Sequence, residues 1–199
     1  MIAAITDRKN CVRPFPEQIA AVAEAKPDMI ILREKDLSRD EYADLARRCM
    51  AVCRANGVRL CVNTFADAAK DVGAADVQMP MPLFRDKKTE GFDNIIVSVH
   101  SPEEAAEARD LGADMVMFGN VFEALCKPGA PPKGLEALKA VCSAVDIPVL
   151  AVGGIDTLNM RSVLSRGAAG VCMMHHFMMA ERPSDIVQAY REARKEIRG

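Results

Sequence analysis

Eight short apolar runs punctuate this chain, each ending abruptly at a polar residue or glycine and most leading into a helical pattern. They are Ile2–Ile5, Met29–Leu32, Leu60–Val62, Val77–Met79, Ile95–Val97, Met115–Phe118, Val149–Val152 and Val171–Met174. A strand buried on both faces reads as a continuous apolar run, because helices cover one side and the core the other. Eight such strands alternating with amphipathic helices predict parallel βα units and, at this number, a single closed (β/α)8 TIM barrel over residues 1–199. With 199 residues for eight units, the loops must be short.

The intervening stretches carry helix punctuation. Ser38 with Glu41 forms a capping-box signature ahead of a helix that Gly57 ends, and Ser101 with Glu104 repeats it before Ala105–Leu111. Further helices are expected over Pro16–Ala25, Ala66–Val72, Gly134–Val145, Asn159–Arg166 and Ser184–Ile197. Pro80 and Pro82 leave the fourth unit room for only a short helix. Gly73, Gly112 and Gly167 recur at the same helix-to-strand joint and read as scaffold.

Composition narrows the function classes. A net charge of -2, no basic run, and seven Phe, two Tyr and no Trp argue against a nucleic-acid groove. No apolar run approaches the ~20 residues of a membrane span, and no signal segment precedes the first strand, so a cytoplasmic protein is expected. Seven cysteines, mostly inside predicted elements, suit a reducing compartment. Cys49 and Cys53 share a helix face but have no neighbouring ligands for zinc, so they read as small core residues.

In a barrel of this kind the chemistry sits where the strands end. The residues there are Thr6-Asp7-Arg8, Arg33-Glu34-Lys35, Asn63-Thr64, Pro80, Ser98-Val99-His100, Gly119-Asn120, Gly153-Gly154 and His175-His176. Cations, amides, hydroxyls and bare glycine backbone suit an anionic small molecule. Gly153 and Gly154 are the candidate phosphate binders, since backbone N–H groups can approach phosphate oxygens where no side chain intervenes. Arg33 and Lys35 flank Glu34, and alternation turns one or both toward the mouth; the competing reading is an ion pair with Glu34 on the rim. The connection from Asn120 to Lys133 is long enough to cover the mouth.

Taken together, Ala4-Ile5-Thr6-Asp7-Arg8, Leu32-Arg33-Glu34-Lys35-Asp36-Leu37, Val97-Ser98-Val99-His100-Ser101, Gly112-Ala113-Asp114, Phe118-Gly119-Asn120-Val121-Phe122-Glu123 with Lys127, and Ala151-Val152-Gly153-Gly154-Ile155 resemble the thiamine-phosphate synthase / thiazole tautomerase (TenI-like) family of barrels. The resemblance implies a phosphorylated thiazole or pyrimidine as ligand. Where the synthase pattern carries acidic Mg2+ ligands, this chain reads Asn63-Thr64-Phe65 after the third strand and Gln78-Met79-Pro80-Met81-Pro82 after the fourth; Ala124 and Cys126 stand where the synthase loop has threonines.

These departures place the chain closer to the tautomerase branch, which moves a proton on a thiazole carboxylate phosphate without metal or other cofactor. Mg2+-dependent thiamine-phosphate synthase is the alternative, and a silent phosphate-ligand binder a third reading. In the tautomerase reading Arg33, Lys35, Asn63, Ser98 and Lys127 bind substrate and Gly153 and Gly154 hold its phosphate. Asn120 replaces the branch's histidine and can orient but not shuttle a proton, so His100, His175 or His176 must carry proton transfer. His175 and His176 are expected to end the eighth strand, with only one facing the mouth. Self-association into a homo-oligomer is compatible with the sequence.

Overall fold

A computed structural model describes residues 1–86, 91–124 and 129–198. Strands β1 (Ile2–Ile5), β2 (Met29–Leu32), β3 (Arg59–Asn63), β4 (Asp76–Pro80), β5 (Asn94–Val99), β6 (Met115–Gly119), β7 (Val149–Val152) and β8 (Gly170–Met173) pair in parallel with their sequence neighbours, and β8 closes on β1. Between them run α1 (Phe15–Glu24), α2 (Arg39–Asn56), α3 (Ala66–Asp71), α4 (Met81–Arg85), α5 (Pro102–Asp110), α6 (Gly134–Ala144), α7 (Met160–Leu164), α8 (His175–Met178) and the closing α9 (Pro183–Arg198). This is the (β/α)8 barrel that the apolar runs predict.

Strand alternation divides the core in two. Ala4, Ile30, Leu32, Val62, Val77, Val97 and Phe118 point outward into the layer beneath the helices. Ala3, Ile5, Met29, Ile31, Cys61, Ile96, Met115, Met117, Leu150 and Cys172 fill the barrel itself. The base is polar: the buried Asp76 carboxylate lies 3.2 Å from the Arg59 guanidinium and accepts the Asn94 amide at 2.6 Å. At the same end of the barrel, where β8 closes on β1, the Met1 ammonium donates to the Ala169 carbonyl at 2.9 Å and the Tyr190 hydroxyl at 2.5 Å.

Local signals explain the helices. At the start of α2 the Ser38 hydroxyl accepts the Glu41 N–H while the Glu41 carboxylate accepts the Ser38 N–H at 2.9 Å, and Gly57 ends the helix at φ +67°. Its inner face, Tyr42, Leu45, Ala46, Cys49 and Cys53, follows the helical period, and each large side chain so buried contributes about 1.5–3 kcal/mol. Burial pushes the thiols of Cys49 and Cys53 up to about 12, in keeping with inert core residues. At α5 the reciprocal box is incomplete. The Ser101 hydroxyl accepts the Glu104 N–H, but the Glu104 carboxylate reaches one residue further back, to the His100 N–H at 2.7 Å.

Two expectations need correction at the eighth strand. The chain leaves β8 at Met173, and Met174 adopts helical angles (φ -103°, ψ -79°), so His175 and His176 open α8 instead of ending a strand. Successive side chains on a helix turn by about 100°, not 180°, so strand alternation no longer separates the pair. Among the described residues, no helix is long and apolar enough to cross a membrane.

Candidate functional site

The carboxyl ends of the strands are tied together before any side chain reaches the mouth. The Thr6 hydroxyl accepts the Arg33 N–H at 2.9 Å, joining the ends of β1 and β2. From α2 the buried Tyr42 hydroxyl donates to the Leu32 carbonyl at 2.5 Å and accepts the Asn63 N–H at 3.2 Å, joining β2 to β3. Glu34 turns away from the mouth: its carboxylate accepts the Arg8 N–H at 3.1 Å and lies 3.5 Å from the Arg8 guanidinium. Burial, opposed by Thr6 and Arg8, raises its pKa above the usual carboxylate value. Glu34 therefore pairs with Arg8, and the rim ion pair with Arg33 is not formed.

Two cavities open here. The smaller, about 200 Å³, is lined by Arg33, Lys35, Asn63, Ser98, His100 and Asn120, with Gln78, Thr64, Ile31 and Met117 beneath and beside them. The larger, about 430 Å³, is lined by Gly153, Gly154, His175 and His176, with Asp7, Glu123 and Asp156 around its edge. Ala124, Val152, Gly153 and Met174 belong to both, so the two are lobes of one site. Both histidines of α8 line the larger lobe, where strand alternation admits only one. Lys127 lies outside the described residues, as does Cys126.

The smaller lobe has a connected polar floor. The Asn63 side-chain amide donates to the Gln78 side-chain oxygen, and the Gln78 amide donates to the Ser98 hydroxyl at 2.6 Å. Sequence reasoning named Gln78 only within the segment that replaces an acidic residue of the synthase pattern and gave it no binding role; it lies inside β4 and not after it. The signal was a polar residue within an apolar run, in register with Asn63 on β3.

His100 stands at the wall of this lobe with Nδ1 3.0 Å from the Gly119 carbonyl. A carbonyl only accepts, so Nδ1 is the donor in this contact, and in the neutral imidazole Nε2 is then the acceptor. Asn120 is buried, and its amide N–H groups go to the carbonyls of Phe122 at 3.3 Å and Ala130 at 3.4 Å. Its amide nitrogen thus shapes the loop after β6, leaving the oxygen as its remaining polar atom.

Gly153 and Gly154 have φ of +101° and +62°. A Cβ on Gly154 would meet the Glu123 carbonyl oxygen at 2.3 Å, and one on Gly153 the Asn120 Cα at 2.6 Å. The pair is glycine because the chain after β6 crosses directly over it, and the Phe122 N–H bonds the Gly153 carbonyl at 3.0 Å. Among the described residues the N–H groups of Gly153, Gly154 and Ile155 have no acceptor, which leaves them available to an anion.

Magnesium chemistry needs hard, charged oxygen ligands. At the ends of β3 and β4 stand Asn63, Thr64, Gln78 and Pro80, amides and a hydroxyl, with the Asn63 amide already engaged by Gln78. Among the described residues, no group of three or more His, Cys, Asp or Glu could hold a metal ion. The described residues after β3 and β4 do not fit a protein-held Mg2+.

Residues 2–177 match the family described as thiamine monophosphate synthase. The chain belongs to the thiamine monophosphate synthase family. It is 34% identical over 196 residues to the thiamine-phosphate synthase of Pyrococcus furiosus, covering 97% of this chain and 92% of that protein. It is 33% identical over 195 residues to the thiamine-phosphate synthase of a Roseiflexus strain, covering 95% and 83%. A probable thiamine biosynthetic bifunctional enzyme of rice is 33% identical over 195 residues, but the chain spans only 35% of that longer protein. Among solved structures, the thiamine phosphate pyrophosphorylase of Pyrococcus furiosus superposes with a TM-score of 0.87 at 31% identity, covering 100% of this chain and 96% of the other. The Pyrococcus and Roseiflexus relatives carry the synthase name and none of the four is named a tautomerase, so the sequence-based preference for the tautomerase branch gains no support from them.

Proposed function

We propose that this synthase-family barrel acts in thiamine-phosphate assembly, taking a thiazole phosphate ester in the larger lobe and a pyrimidine diphosphate in the smaller one. The observation that carries this reading is the junction of the two lobes at Gly153. Ligands in cavities that share a wall are held with their reacting ends together, which converts a bimolecular encounter into a positioned one. Arg33 and Lys35 give the smaller lobe the charge that a diphosphate needs, and Gly153 and Gly154 offer backbone donors to the phosphate ester. The names of the near-full-length relatives support coupling over tautomerisation.

In that reaction the thiazole nitrogen forms a bond to the pyrimidine methylene carbon as the bond to pyrophosphate breaks. Arg33 and Lys35 stabilise the negative charge that gathers on the leaving group, and the Asn63–Gln78–Ser98 chain orients the ring. No step is assigned to a protein-bound metal.

A second reading has its own observation. Among the described residues that line the mouth, none after β3 or β4 is a carboxylate, and the His100 ring is fixed through Nδ1. Both suit metal-free proton transfer on a thiazole carboxylate phosphate, with His175 and His176 as further proton carriers. The decisive experiment offers the purified protein a pyrimidine diphosphate with thiazole phosphate and, separately, the non-aromatic thiazole tautomer, each with Mg2+ or with EDTA. Thiamine phosphate in the first mixture supports coupling. Aromatisation alone replaces it with the second reading, and ligand binding without either product leaves a silent binder.

A further inference from the structure

The larger lobe has an unusual charge balance for a phosphate site. Asp7 enters from the loop after β1, Glu123 from that after β6, and Asp156 from that after β7; among its described lining residues there is no lysine or arginine. Asp156 accepts the N–H groups of Leu158 and Asn159 at 2.8 and 3.0 Å, and Asp7 accepts the Asn10 amide at 2.8 Å. These bonds fix the carboxylates of Asp156 and Asp7 in place. Behind α8, the Arg13 guanidinium points to the Glu181 carbonyl at 2.7 Å, Gln18 donates to the Phe177 carbonyl, and Cys11 lies against Met178.

With both imidazoles neutral, a dianion in this lobe meets carboxylates and no cationic side chain among the described lining residues, and is held by backbone N–H groups and uncharged side-chain donors. Among the described lining residues, imidazole is the one group that ordinarily changes charge between pH 5 and 8. We infer that His175 and His176 are the proton-controlled anion grip of the larger lobe, so that a phosphate or sulfate dianion binds there more tightly as the pair takes up protons. The inference rests on the reading of this lobe as the phosphate-ester lobe. Burial and the neighbouring His175 hold the His176 pKa below the ordinary imidazole value, with Asp156 opposing. The tightening therefore extends below the usual histidine range.

Sulfate is the probe of choice, because it stays a dianion across the range while a phosphate ester takes up a proton near pH 6. Calorimetric titration at constant ionic strength should show sulfate binding about tenfold tighter at pH 6 than at pH 8, the value of one charge-assisted contact. Thiazole phosphate should displace it. In the His175→Asn, His176→Asn double variant the dependence should flatten to within about twofold. Should that variant fold poorly, NMR titration of the unmodified protein gives the same answer, since bound sulfate must raise the pKa of both imidazoles.

A flat sulfate profile, a slope that survives in the double variant, or imidazole titrations untouched by sulfate overturns the inference. Loss of turnover in both assays of the preceding section with the slope intact would sink the proposed reactions and leave the grip standing. Turnover with a flat profile does the reverse.

Discussion

A Cβ on Gly153 would lie 2.5 Å from the Cβ of Asn120, so the turn after β7 and the chain after β6 meet backbone to backbone at the seam between the two lobes. Gly153→Ala adds that clash to a backbone held at φ +101°. Strain and overpacking together should cost about 3 kcal/mol, or about 6–12 °C in Tm for a domain of this size, and anion binding should weaken with it. Thermal unfolding of the variant checks the first part; an unchanged Tm would mean that the seam is looser than the geometry allows.

Replacing Gln78 by leucine keeps the volume but removes the acceptor of the Asn63 amide and the donor to Ser98. Asn63 is only 6% exposed, so water cannot readily replace its partner. Urea unfolding should register a loss of about 2 kcal/mol, and ligand affinity in the smaller lobe should fall by about tenfold. A loss below about 0.5 kcal/mol would show that the network carries no stability.

Arg33 faces the cavity while its neighbour Glu34 is held by Arg8. Arg33→Lys keeps the charge but loses the forked geometry, so pyrophosphate affinity should drop about tenfold with little change in unfolding free energy. Equal loss of stability and affinity would instead place the guanidinium in the scaffold.

At the base of the barrel, burial raises the Asp76 pKa, with Arg59 and Asn94 opposing. An acid with a folded pKa above its unfolded one binds its proton more tightly in the fold. Its contribution to stability is therefore greatest below the ordinary aspartate value, falls as pH rises through the raised folded value, and is level beyond it. Asp76→Asn should remove this slope and be at least as stable as the parent at pH 7, as read by denaturant unfolding from pH 3 to 8. A variant less stable at pH 7 would mean that the Arg59 ion pair outweighs desolvation.

The barrel was legible because parallel strands covered on both faces are written as unbroken apolar runs, and Arg33, Lys35, Asn63, Ser98, His100 and Asn120 were legible because each stands where such a run stops. Gln78 escaped because its polar side chain faces the mouth from within a strand. Tyr42 escaped for a different reason: an aromatic on the inner face of α2 reads as packing, and only the fold shows its hydroxyl joining β2 to β3. The four residues of α8 are too few for a helical period, so the histidine pair was assigned to the strand and its two side chains to opposite faces. The acidic edge of the larger lobe gathers Asp7, Glu123 and Asp156 from three separate loops, a meeting that spacing along the chain does not reveal.

Val152 and Met174 each present surface to both lobes. A bulkier side chain at either position, acquired to favour a smaller occupant on one side, would intrude on the other. The shapes of the two lobes cannot drift independently through these positions. Divergence in specificity must enter instead through residues private to one chamber, such as Met117 and Ile31 or His175 and His176.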